Sequence, residues 1–144
     1  ISKSNQNIGQ KRLITFFSHS NENDLIILIF RFFVDSSVKK QFCNLFTSNN
    51  IYIRLHPSLE VNNVKKNLSK LKIKYNVDLP NLNFIVNESV SFSIKNTEYC
   101  VFSNSNLVNL ALEYKKKVYA IKTSFLYSPL IKKEYLKNSN LIII

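Results

Sequence analysis

A chain of 144 residues with one glycine and a formal net charge of +11 closes off several classes of function at once. Walker loops and dinucleotide fingerprints need glycines where backbone approaches phosphate, and Gly9 stands alone in a polar lead. The longest apolar run, residues 25–34, is interrupted by Arg31 and too short to span a bilayer. The 45% hydrophobic and 20% charged residues are an ordinary globular mixture, with enough chain for one core.

The chain starts at Ile1 rather than Met and reads as a fragment or an excised domain, with no apolar signal segment at its start. Residues 1–11 are polar and unpatterned, the remnant of a tail or linker, and residues 12–144 form the single domain. Residues 12–17 are a continuous apolar run, as in a strand covered on both faces. Ser18-His19-Ser20-Asn21 follows as a polar loop able to cap the helix 22–35, which is apolar on nearly all sides and so expected to be buried. Val38, Phe42, Leu45 and Phe46 mark a second short helical face.

Residues 51–55 are the second strand, rich in β-branched and aromatic side chains, and Pro57 stiffens the turn that ends it. Val61, Val64, Leu68, Leu71 and Tyr75 then recur at helical spacing. Asp78, Pro80 and Asn81 break the chain before a third strand at 82–86. A short helix at 90–96, a strand at 99–102, a helix at 107–114 and a strand at 117–121 come next. Pro129 opens a last helix at about 130–136, and 141–144 is a sixth strand or a tail. This alternation predicts an α/β, Rossmann-like three-layer sandwich around a parallel sheet of about five or six strands. The expected core includes Leu13, Ile14, Phe16, Ile26, Ile29, Phe30, Ile53, Phe84, Val101 and Val118.

In such a sheet the carboxyl ends of the strands share one edge, where ligands bind. Three polar groups fall there: Ser18-His19-Ser20, Arg54 with His56, and Ser103-Asn104-Ser105-Asn106. Arg54 and His56 are two apart and share a side of the strand, and Pro57 biases His56 toward an extended conformation. The later serines precede a helix, where free N–H groups and hydroxyls suit an anion, with Arg54 or a protonated His56 as the neighbouring cation. Plain helix capping by the serines and a backbone-bonded turn histidine are the competing readings, and His19 reads as a loop residue. No His/Cys cluster has zinc spacing, and no metal site is expected. Glu88 and Glu113 are the acids nearest this edge by sequence, without an acidic partner. Cys43 and Cys100 lack metal or redox spacing and read as buried thiols in a reducing compartment. The lysines are spread over helix faces, which reads as a solvated surface with no specific nucleic-acid partner; contact of these basic faces with a membrane surface is compatible with the charge.

The ordered combination of a strand ending in Arg54-Leu55-His56-Pro57-Ser58, a helix, a later strand ending in Ser103-Asn104-Ser105, the spacing to Leu107 and Ala111, and then Lys116-Lys117-Val118-Tyr119 resembles the carboxyl-terminal domain of GT-B glycosyltransferases. It is most similar to bacterial surface-carbohydrate enzymes, including sialyltransferases and polysialyltransferases with a His-Pro motif, over about residues 12–121. The resemblance implies that His56 binds the phosphate of a nucleotide-sugar donor, CMP- or UDP-linked, and stabilises the leaving nucleotide. It implies the same phosphate role for Ser103 and Ser105, with Asn106 where Ser or Thr is common. Ser18 and Arg54 complete the expected phosphate site, and no other cofactor is expected. The carbohydrate acceptor would be met through an N-terminal domain outside this chain, in the cytoplasm or at the inner face of the membrane. Two departures stand out. Leu110-Ala111 occupies the place of a ribose-binding Glu-Ala, with Asn109 as the neighbouring substitute, and Lys115 replaces a common glycine. A nucleotide-sugar epimerase or polyol-phosphate transferase domain is the alternative enzyme; a basic, Rossmann-like, non-enzymatic binding module is the other.

Overall fold

The computed structural model describes residues 12–34, 51–103, 105–122 and 131–143. Six strands form one sheet: β1 (Arg12–Phe17), β2 (Ile51–Arg54), β3 (Asn83–Ile85), β4 (Thr97–Phe102), β5 (Lys117–Ala120) and β6 (Leu141–Ile143). All five pairings are parallel, in the order β3-β2-β1-β4-β5-β6. The fold is α/β and Rossmann-like, as the alternation predicts. The chain steps outward from β1 to β3, returns to place β4 beside β1, and steps outward again to β6. The strand order therefore reverses between β1 and β4, which makes their carboxyl ends the topological switch point.

Helices α1 (Glu22–Val34) and α2 (Val61–Tyr75) cover one face. Helix α1 starts where Asn21 Oδ1 accepts the Asp24 N–H at 3.2 Å. Glu22 and Asp24 sit in its first turn and Arg31 in its last, each sign matched to the helix dipole. Leu25, Leu28, Ile29, Phe32 and Phe33 make its buried stripe. Phe16 of β1 receives the Phe32 ring edge-on at 4.9 Å, at the centre of this layer. The other face carries α3 (Val90–Lys95) and α4 (Leu107–Glu113), with Ile94, Val108, Ala111 and Leu112 packed on Phe17, Cys100, Phe102 and Val118. Cys100 is buried, and burial pushes its thiol up to about 12 against the pull of Lys116, so it is protonated at neutral pH.

Of the expected core, Ile14, Phe16, Ile29, Ile53, Val101 and Val118 are buried, whereas Leu13, Ile26, Phe30 and Phe84 are half-buried. Phe30 lies on the α1–α2 seam, 4.8 Å from the Tyr75 ring, and Phe84 lies on edge strand β3 under the Lys65 ammonium. Ile27 is exposed, so α1 has a solvent side after all. The helix expected at 130–136 is reduced, within the described residues, to a single 3-10 turn at Lys133–Tyr135. Lys132 is extended, its N–H bonded to Asn109 Oδ1 at 2.8 Å, so this turn begins only after it. Pro129, Cys43, the helical face at 38–46 and the tail at 1–11 lie outside the described residues.

The only glycine lies outside the described residues, and among these the left-handed positions are held by other residues: Asn76 at φ 50°, Asn87 at φ 58° and Lys115 at φ 61°. Lys115 follows α4 where the Lys115 and Lys116 N–H groups bond the Leu112 and Ala111 carbonyls at 2.9 and 3.0 Å. Glycine is the usual residue at such a helix end, because a β-carbon crowds the backbone there. Lys115→Gly is expected to raise stability by about 1 kcal/mol in urea unfolding, with an unchanged m-value.

Candidate functional site

The Ser18 N–H bonds the Arg54 carbonyl, the Leu55 N–H bonds the Ile85 carbonyl and the Ile121 N–H bonds the Phe102 carbonyl, extending the ladders to the carboxyl edge. There, over the switch point, lies a cleft of about 140 Å³ lined by Phe17, Ser18, His19, Ser20, Arg54, His56, Ser103, Ser105 and Leu107. Five of the six residues singled out in the sequence thus line one cleft. Asn106 does not: it is exposed at the start of α4, and its side chain makes no capping bond. Asn104 lies outside the described residues.

Each lining side chain has a definite local role. The Ser18 hydroxyl oxygen accepts the His56 N–H at 2.5 Å, joining the ends of β1 and β2 and keeping its own O–H as a donor. His56 Nδ1 accepts the Ser58 N–H at 3.1 Å and lies 2.8 Å from Ser58 Oγ, within the turn that Pro57 stiffens. These contacts fix the plane of the ring through Nδ1 and leave Nε2 as its free nitrogen. Ser105 Oγ accepts the Leu107 N–H at 3.0 Å, capping α4 and likewise keeping its own hydrogen. His19 Nδ1 accepts the Asn21 N–H at 3.3 Å, so His19 shapes the loop and also lines the cleft.

Ser103 is engaged elsewhere. Buried, it donates its hydroxyl to Asp24 Oδ2 at 2.5 Å and so ties β4 to the first turn of α1. Asp24 is absent from the residues that sequence singles out, although the Asn21-x-x-Asp24 spacing marks it as a first-turn acid. Asn109, the substitute ribose ligand, uses its amide in the fold: Oδ1 accepts the Lys132 N–H, and Nδ2 donates to the Asn106 carbonyl at 3.1 Å.

The cation of the cleft is Arg54, half-buried, with Nε bonded to the Glu88 carbonyl at 3.0 Å. Burial pulls its guanidinium down from the usual arginine value, and Glu88 opposes that pull. The partner of Glu88 is not an acid but Arg12, which clamps the Glu88 carboxylate through two bonds of 2.5 and 2.9 Å. Ser93 Oγ donates to the same carboxylate at 2.6 Å, and the Tyr52 ring lies 5.0 Å beneath the Arg12 guanidinium. One residue thus holds both arginines, Arg12 by its carboxylate and Arg54 by its carbonyl. The left-handed Asn87 turns the chain into this position. Among the described residues no group of three or more His, Cys, Asp or Glu side chains could hold a metal ion. Scans of family models, curated proteins and solved structures give no match to this chain.

Burial alone would raise the Glu88 carboxyl, but the bonds from Arg12 and Ser93 and the charges of Arg12 and Arg54 outweigh it and hold it below the usual carboxylate range. A depressed folded value contributes stability that is complete above the unfolded value and is lost as pH falls through the folded one. Glu88→Gln should therefore flatten the acid limb of a Tm-against-pH profile. The gap between the two proteins should be widest near neutrality and close below the carboxylate range.

Proposed function

We propose that this chain is the donor-nucleotide-binding domain of a glycosyltransferase of the GT-B type, sialyltransferase-like in its His-Pro motif, serving surface-carbohydrate synthesis. The donor is a CMP- or UDP-linked sugar, bound in the cytoplasm or at the inner face of the membrane. The observation that carries this reading is the convergence of Arg54, His56, Ser18 and Ser105 in one cleft at the switch point. These groups offer one fixed charge, one imidazole and two hydroxyl donors, a set suited to a phosphate or diphosphate. The cleft volume suits the phosphate portion alone, with the nucleoside resting over the sheet edge. No helix among the described residues is long and apolar enough to cross a membrane.

Breaking a glycosyl–phosphate bond builds negative charge on the departing phosphate. Donors already aimed at that position stabilise the transition state more than the ground state. Arg54 supplies most of this field, held by its Nε bond to Glu88. His56 adds a directed ring nitrogen, Nε2, oriented by the Ser58 bond at Nδ1. Activation of the acceptor hydroxyl falls to a base in the partner domain of the full transferase, so this chain alone binds donor and transfers little or nothing.

Calorimetric titration of the chain with CMP, UDP and pyrophosphate tests the reading. Binding is expected to weaken with added salt, and Arg54→Ala should weaken it by about ten- to a hundredfold. Ser103→Ala should leave affinity within about threefold and instead cost about 1–2 kcal/mol of stability, because its hydroxyl serves Asp24. Failure of all three ligands to bind, or binding indifferent to Arg54→Ala, overturns the assignment.

A further inference from the structure

Helix α2 carries Lys65, Lys66, Lys70, Lys72 and Lys74 and no acidic residue. Lys66, Lys70 and Lys74 recur every four residues and form one stripe on its exposed side. Like charges at this spacing repel, and among the described residues no carboxylate pairs with any of them. Beside the stripe Ile73 stands 82% exposed, with lysines immediately before and after it in sequence. Buried Val64 and Leu68 already anchor the opposite side of the helix, so the core makes no use of Ile73. Between α2 and the segment leading into β3 the surface opens into a groove of about 290 Å³, lined on α2 in part by Ser69, one helical turn before Ile73. Its floor is Leu68, Leu79, Leu82 and Phe84, and Lys65 and Lys72 stand on its α2 side.

An exposed isoleucine in a field of ammonium groups, beside an apolar groove with a cationic rim, matches an amphiphile with an anionic head. A nucleic-acid strand would use the lysines and could stack a base on Phe84, but it would have nothing to place against the exposed Ile73. We infer that the outer face of α2 and the adjoining groove form a docking surface for an anionic phospholipid bilayer. Lysines near an anionic leaflet are attracted through its surface potential, and Ile73 supplies an apolar contact below the headgroups. The surface is separate from the switch-point cleft, shares no lining residue with it and does not depend on the function proposed for it.

Co-sedimentation of the 144-residue chain with vesicles tests the inference. Binding is expected to phosphatidylcholine vesicles containing about one third phosphatidylglycerol, and not to phosphatidylcholine alone. The triple variant Lys66→Gln/Lys70→Gln/Lys74→Gln should lower the partition coefficient at least about tenfold, and Ile73→Ser about three- to tenfold. Removing mutual repulsion should leave the Tm of the triple variant unchanged or raised, so lost binding would not reflect unfolding. The control Lys132→Gln/Lys133→Gln/Lys137→Gln removes the same charge from exposed positions elsewhere and should change binding by less than about twofold. Three results would each overturn the inference: no binding to anionic vesicles, equal losses in the two triple variants, or binding of a polyuridylate strand through the α2 lysines with vesicles left unbound.

Discussion

The carboxyl edge of this protein depends on β1 being hydrogen-bonded on both sides by parallel neighbours, β2 and β4. Parallel pairing brings the ends of all three strands to the same edge. The reversal of strand order parts the connections on either side of β1, so a crevice opens above it instead of being roofed by a crossover. The hydrophobic layers on both faces hold β1 from above and below, with Phe16 in one and Phe17 in the other. The polar residues after each strand are thereby presented together, although Ser18, His56 and Ser105 are far apart in sequence.

Much of this arrangement is legible in the amino-acid sequence. The spans of β1, α1 and α4 follow from apolar runs and capping residues, because those signals are local. The grouping of Ser18, Arg54, His56, Ser103 and Ser105 is legible because parallel sheets put all strand ends on one edge. What each side chain bonds to is not. Ser103 turns to Asp24 and Asn109 to Lys132, and both contacts need the tertiary placement of another element. Arg12 and Glu88 are likewise invisible as a pair: they are separated by 76 residues, and only the return of the chain from β3 to β4 brings them together. The edge strand β3 shows the opposite limit. Phe84 has the composition of a core residue, but its position at the sheet edge leaves it half-buried.

A fold of this class usually places glycines in its tight turns, and the described residues do without them. Asn76 and Asn87 tolerate the left-handed region because a short amide can bond locally. Lys115 has no such relief and holds its conformation through the two backbone bonds that close α4. The backbone path that a glycine would follow without crowding is held here by a lysine. Lys115 is therefore a cost in local strain and not a change of fold.

The small volume of the switch-point cleft has a kinetic consequence. A ligand larger than its roughly 140 Å³ leaves most of its surface in water, so few contacts must break before it escapes. Electrostatic attraction to Arg54 speeds arrival without slowing departure by much, which gives rapid exchange and short residence. A long-lived complex then needs a second wall to close over the exposed part of the ligand. Such a wall would act chiefly on the dissociation rate, so occupancy of this edge would be governed by how often the wall is in place.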